Sequence, residues 1–242
     1  MAKIGCCARF NNLYEEEVGF AKKNNFKLMQ VWYDNDGIRN HESEENRLEK
    51  IIQYGFPTII HALLDINEIE QHTLKLVKIL NLLNHNELII HPICHSEAIG
   101  ENTIYKLSDI IQRTLDILND NGITLYLENN SRLDPIFSTS KEIEIVFTNN
   151  PSLEFLLDIA HIYGYEQLKE IVSIKKPKIL HIADKRFNII HEHLPIGYGE
   201  INFKYIFDQI LCNFDGKIIL EIVKEDSDII KSKDIIESLL NK

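Results

Sequence analysis

The chain has 242 residues, 44% hydrophobic and 26% charged, with a formal net charge of −11. That size allows one sizeable core, and the acidic balance argues against broad attraction to nucleic acid or anionic membrane. No apolar run approaches the roughly 20 residues needed to cross a bilayer. Cys6, Cys7, Cys94 and Cys212 show neither CxxC spacing nor the density of a disulfide framework. Reduced thiols and a cytoplasmic setting are therefore expected. The start, MAKIGCCARF, reads as a strand and not as a secretory leader. No Ser/Gly-rich linker or shift in composition marks a boundary, so one domain is expected over residues 1–242.

In chain order, short apolar runs alternate with amphipathic stretches about thirty residues apart. The first three predicted strands are Lys3 to Ala8, Phe26 to Trp32 and Pro57 to His61. A helix striped by Ile69, Leu76, Leu80 and Leu83 leads to the fourth, Leu88 to His91. Another, striped by Ile104, Leu107, Ile111, Leu115 and Leu118, stops at Asn121-Gly122 before the fifth strand, Ile123 to Glu128. Leu153 to Asp158 and Lys178 to His181 are the sixth and seventh. Ile206, Ile210 and Phe214 predict a helix before the eighth, Lys217 to Glu221, and Ile229, Ile236 and Leu240 predict a closing helix. Several strands are near-continuous Ile/Leu/Val runs, as parallel strands under helices require. Eight such units predict a closed (β/α)₈ TIM barrel. An open doubly wound sheet is the alternative, but Cys6-Cys7-Ala8-Arg9 is not a glycine-rich nucleotide turn.

In a barrel of this kind the chemistry sits at the C-terminal strand ends. Those ends carry His61, His91, Glu128, Asp158 with His161, His181 with Asp184, and Glu221. Of ten histidines, only His72 and His85 fall in or at the end of a predicted helix. Between His181 and His193, thirteen residues hold three imidazoles and two carboxylates as well as Arg186. A strand-end histidine can be a satisfied polar cap, and His95 and Cys94 are read as loop and packing residues. Glu128 in LYLENN and Glu221 in IILEIV each follow an apolar run, where an acid is costly without a cation or hydrogen-bond partners. Strict alternation would put Glu128 on the inward face with Tyr126 and Thr124. Neutral imidazole and carboxylate together suit a divalent metal. Glu128, Asp158, His181 and Glu221 are the expected shared ligands.

With HALLDIN, IIHP, LYLENN, LLDIAH, HIAD and HEHLPIGYGEI in this order, the chain resembles the xylose isomerase-like TIM barrel superfamily over its whole length. That superfamily holds the sugar phosphate isomerases and epimerases and the endonuclease IV group, AP endonuclease family 2. The resemblance implies one divalent metal (zinc, manganese, magnesium or cobalt) on Glu128, Asp158, His181 and Glu221. In the endonuclease pattern a trinuclear zinc cluster would add His61, His91, His161 and the pair His191/His193, where His191 replaces an aspartate.

It further implies a metal-dependent isomerase or epimerase for a small sugar, keto-polyol or sugar phosphate, working by proton transfer through an enediolate. Glu128 and Glu221 would be the catalytic pair. His161, His193, Asp184 and Arg186 would contact substrate, with Trp32 or Tyr33 stacking on the sugar. Gln30 stands where several sugar isomerases have an acid. The alternative is a zinc-dependent phosphodiesterase acting on DNA. Against it, the DNA-wedging tyrosine position matches Leu64, and Arg39, Arg132 and Arg186 are few cations for tracking phosphates.

Overall fold

The computed structural model describes residues 2–40 and 45–240. In chain order it runs β1 (Lys3–Cys7), α1 (Tyr14–Lys23), β2 (Met29–Asp34), β3 (Gly37–Ile38), α2 (Arg47–Tyr54), β4 (Thr58–Asp65) and α3 (Ile69–Leu83). It continues through β5 (Glu87–Ile93), α4 (Glu101–Asp120), β6 (Thr124–Glu128), α5 (Ser140–Asn149), β7 (Glu154–Asp158), α6 (Tyr165–Ile174) and β8 (Ile179–Ile182). A helical turn α7 (Phe203–Tyr205), β9 (Lys217–Leu220) and α8 (Asp226–Leu240) complete it. Strand β1 pairs in parallel with both β2 and β9, which closes the eight parallel strands into a TIM barrel. The two-residue β3 is outside the ring, folded back antiparallel on β2. None of the helices is long and apolar enough to cross a membrane among the described residues.

Two expectations are corrected. The stripe of Ile206, Ile210 and Phe214 does not form a regular helix. After α7 the chain widens into a π-helical turn, Ile206–Ile210, closed by Leu211 N–H donating to the Ile206 carbonyl. Five-residue hydrogen-bond spacing spoils a three-and-four stripe, and Phe214 lies in the turn beyond. His61 and His91 are also not at strand ends, because β4 runs on to Asp65 and β5 to Ile93, the two paired as far as those residues.

Side chains alternate between two cores. Residues such as Ile60, Ile90, Leu127, Leu157, Leu180 and Leu220 face the helices. Their neighbours Ile59, Ile89, Tyr126, Leu156, Ile179 and Ile219 fill the barrel interior. Because the side-chain period is two, the next inward position on each of these strands lies one layer higher. Those positions are His61, His91, Glu128, Asp158, His181 and Glu221. An apolar plug thus supports a polar ring, and Gln30 from β2 joins that ring from inside the barrel.

Candidate metal centre

The ring forms one buried network. Glu128 is fully buried, with Oε2 accepting from His61 Nε2 at 2.6 Å and from His91 Nδ1 at 3.0 Å. Its Oε1 lies 2.9 Å from His181 Nδ1. From the same imidazole nitrogen, Glu221 Oε2 is 3.3 Å away and Asp158 Oδ2 is 3.9 Å away. The ligating atoms of Glu128, Asp158, His181 and Glu221 all lie within 4.8 Å of one another. Two further groups meet the same limit, His61 with His91 and Glu128, and His161 with His191 and His193.

Backbone and side-chain partners orient these donors. Asp158 Oδ1 accepts from the backbone N–H groups of Ala160 and His161, at 2.5 and 3.2 Å, which turns Oδ2 toward the ring. His161 Nδ1–H donates to the Asn129 carbonyl at 2.8 Å, so its Nε2 presents a lone pair to the cavity. Fixing one imidazole nitrogen in this way prepares the other for a metal. Burial, reinforced by His193, holds His161 well below the usual imidazole range and therefore neutral.

The charge arrangement fits a cation. Burial, followed by the charges of Glu221 and Glu128, pushes Asp158 well above the usual carboxylate range. Burial also opposes ionisation of Glu128, but His181, His91 and His61 outweigh it and hold the group well below its ordinary value. For Glu221, burial is likewise outweighed, by His181 and His193. Buried polar atoms normally find partners, yet among the described residues Asp158 Oδ2, Glu221 Oε2, His91 Nε2, His161 Nε2 and His193 Nε2 have no hydrogen bond. All five belong to this cluster. Three carboxylates this close repel unless something positive sits among them, and unpartnered oxygen and nitrogen lone pairs suit a divalent metal.

Above the ring opens a cavity of about 380 Å³, lined by His61, His91, His161, His191 and His193, and by Glu221. Its walls are Trp32, Leu63, Leu133, Asp134, Val223 and Lys224. The Trp32 ring lies 4.8 Å from that of His61, centroid to centroid.

Several expected positions lie elsewhere. Asp184 does not face this cavity. Its buried carboxylate accepts from the backbone N–H groups of Lys185, Gly197, Gly199 and Ile201, and so organises the loop after β8. The sequence shows the acid, but not that its own loop folds back over it. Arg186 is exposed and forms a forked ion pair with Glu192 instead of reaching the cavity. Tyr33 faces the helices, its hydroxyl 2.7 Å from His72 Nδ1. Leu64 is fully buried in the outer core and cannot wedge into anything, whereas its neighbour Leu63 faces the cavity. His95 stays in its loop, and His41 lies outside the described residues.

The sequence matches the family described as xylose isomerase-like TIM barrel over residues 18–240. The chain belongs to this family. The fold of the xylose isomerase-like barrel is shared with solved structures of low sequence identity. One, described as a D-tagatose 3-epimerase-like protein, is 20% identical with a TM-score of 0.73, covering 98% of this chain and 97% of that one. The IolI protein, solved with a bound zinc atom, is 14% identical with a TM-score of 0.77 and 98% coverage of both chains. A 3-keto-D-glucoside 4-epimerase from E. coli is 16% identical with a TM-score of 0.73, covering 98% of this chain and 100% of its own. A sequence search of curated proteins finds no match.

Within this site, sequence reasoning missed Leu63, Leu133, Val223 and Lys224 as walls and Asn129 as a positioning residue. Asn129 follows Glu128 directly and also uses its Oδ1 to accept from the Asp158 N–H at 2.8 Å. Adjacency to a strand-end acid was the one available signal.

Proposed function

We propose that this chain is a metal-dependent isomerase or epimerase acting on a small sugar or keto-polyol by moving a carbon-bound proton. The observation that carries the reading is that Glu128 and Glu221 both reach the Nδ1 of His181, at 2.9 and 3.3 Å, at the floor of an imidazole-lined cavity. The solved structures described as a D-tagatose 3-epimerase-like protein and a 3-keto-D-glucoside 4-epimerase support the sugar class, and the zinc in the IolI structure supports a divalent cation. Among the described residues Lys224 is the one lysine or arginine that lines the cavity, which favours an uncharged sugar over a sugar phosphate.

A divalent ion held by Glu128, Asp158, His181 and Glu221 would polarise the substrate carbonyl and acidify the neighbouring C–H. The two glutamates would flank that carbon, one removing the proton to leave an enediolate on the substrate, the other returning a proton. His61 and His91 hold Glu128 in place through Oε2. His161 and His193 would bind hydroxyls, and the Trp32 face would cover the apolar side of the sugar. The closed floor of the barrel keeps bulk water from reaching the carbanionic carbon from below.

In heavy water, deuterium should enter a keto-sugar at the carbon beside the carbonyl. Glu128→Gln and Glu221→Gln should each lower turnover by about 10²–10⁴-fold, with smaller losses in substrate binding, and should weaken metal retention. If both variants are folded and retain metal and full exchange, the assignment is wrong.

The two extra donor groups favour a second reading, a multi-zinc phosphodiesterase acting on DNA. The cations near the mouth speak against it. Arg39 is paired with Asp34, Arg186 with Glu192, and Arg132 lies over the Tyr163 ring. An abasic-site duplex should remain uncut with zinc in excess. Efficient cleavage, with no exchange on any keto-sugar, would establish this second reading instead.

A further inference from the structure

Gln30 is fully buried and sits between two imidazoles of the ring, so one amide must serve both. His181 Nδ1 faces Glu128, Glu221 and Asp158, which makes it the nitrogen that would meet a cation. A neutral imidazole that ligates through Nδ1 carries its hydrogen on Nε2. That Nε2 lies 2.7 Å from Gln30 Oε1, so the amide oxygen is the acceptor. The NH₂ group then occupies the other end of the amide. It points at Glu221 Oε1 and Cys7 Sγ, both at 3.5 Å, and at His61 Nδ1, at 3.3 Å. An amide NH₂ can only donate. His61 Nδ1 must therefore accept, and the His61 proton goes to Nε2, which points at Glu128 Oε2 from 2.6 Å.

We propose that Gln30 sets both tautomers. It prepares His181 as a ligand, and it makes His61 a hydrogen-bond donor to Glu128 and bars it from ligation. The group His61, His91 and Glu128 has ligand-like spacing but, while Gln30 is present, the His61 nitrogen directed into it carries a proton. One cation is thereby held on this side of the cluster, at Glu128, Asp158, His181 and Glu221. The inference rests on the metal part of the proposed function and is independent of the reaction catalysed.

A carboxylate at position 30 would accept from His181 Nε2–H and from His61 Nδ1–H together. His61 Nε2 would then be free to ligate. Zinc retained after gel filtration, measured by elemental analysis, should rise by one equivalent per chain in Gln30→Glu relative to the parent. Adding His61→Ala to Gln30→Glu should remove that equivalent, whereas His61→Ala alone should leave the parent count unchanged. Gln30→Met, which offers His181 no acceptor, should weaken the retained zinc by roughly 10–100-fold. In the zinc-loaded parent, ¹⁵N–¹H correlation of the imidazoles should show His61 protonated at Nε2, and this readout holds even if a variant fails to fold. Equal zinc in Gln30→Glu and the parent would overturn the proposal, as would loss of zinc from the parent on His61→Ala or a His61 Nδ1 proton. A parent that retains no zinc, manganese or cobalt would bring down the metal reading itself, whereas a second, His61-dependent zinc in the parent would bring down the Gln30 proposal alone.

Discussion

Replacing Asp184 with Ala tests what holds the loop that carries His191 and His193. The Asp184 backbone and that of Leu194 exchange hydrogen bonds of 2.8 and 2.7 Å, and the side chain closes the rest of the turn. Oδ1 accepts from Lys185 at 2.9 Å and Ile201 at 3.1 Å, and Oδ2 accepts from Gly197 and Gly199, each at 2.9 Å. Lys185 and Ile201 are buried, so their N–H groups would lose their partner without gaining water. Each such orphan costs about 1–3 kcal/mol, or about 4 kcal/mol for the two. Gly197 is exposed and Gly199 half-buried, so water can replace part of what those two lose.

For a domain of this size about 4 kcal/mol corresponds to a fall of roughly 8–16 °C in Tm. Thermal unfolding with limited proteolysis of the segment 185–201 would measure it, and substrate binding should weaken as His193 loses its place. Gly199→Ala should act in the same direction, because a Cβ there would collide with Asp184 Oδ1 and the Lys185 backbone. Arg186→Ala is the control, since its exposed pair with Glu192 should matter by less than about 1 kcal/mol. If Asp184→Ala unfolds within about 1 kcal/mol of the parent and resists protease equally, Asp184 is not the organiser of this loop.

Chelation should destabilise the protein, and a divalent ion at about a thousand times its Kd should restore about 4 kcal/mol, read as a rise in Tm. In the metal-free protein, burial works against charge on His181, but Glu221 and Glu128 outweigh it and raise the group well above its ordinary value. That contribution is complete below the unfolded value of about 6.5 and is lost as pH rises through the folded value. The metal-free Tm should therefore decline from this source on going alkaline, while the metal-induced gain grows as protons cease to compete; a Tm gain independent of pH would contradict this. Leu64→Ala should cost about 2–5 kcal/mol with metal content unchanged, as expected of an outer-core residue and not of a side chain at the mouth.

Much of the barrel is legible in the chain itself. Near-continuous apolar runs at regular spacing specify parallel strands under helices, and period two carries Leu156 and Asp158, or Tyr126 and Glu128, to the same inward face. That is why the four expected ligands meet: each stands two residues beyond an apolar plug residue, on adjacent strands. Local pattern has no comparable information about where β4 ends, because its extension past His61 depends on pairing with β2 and β5. Nor does it show that Asp184 turns into its own loop, since the Gly197, Gly199 and Ile201 N–H groups arrive only when that loop folds back. Gln30 is the extreme case. Its amide meets His181 across 151 residues and Glu221 across 191, so its hydrogen-bonding partners exist only once the ring has closed. Residue type and period determine which side chains point inward; ring closure decides which of their atoms touch, and with that which nitrogen keeps its proton.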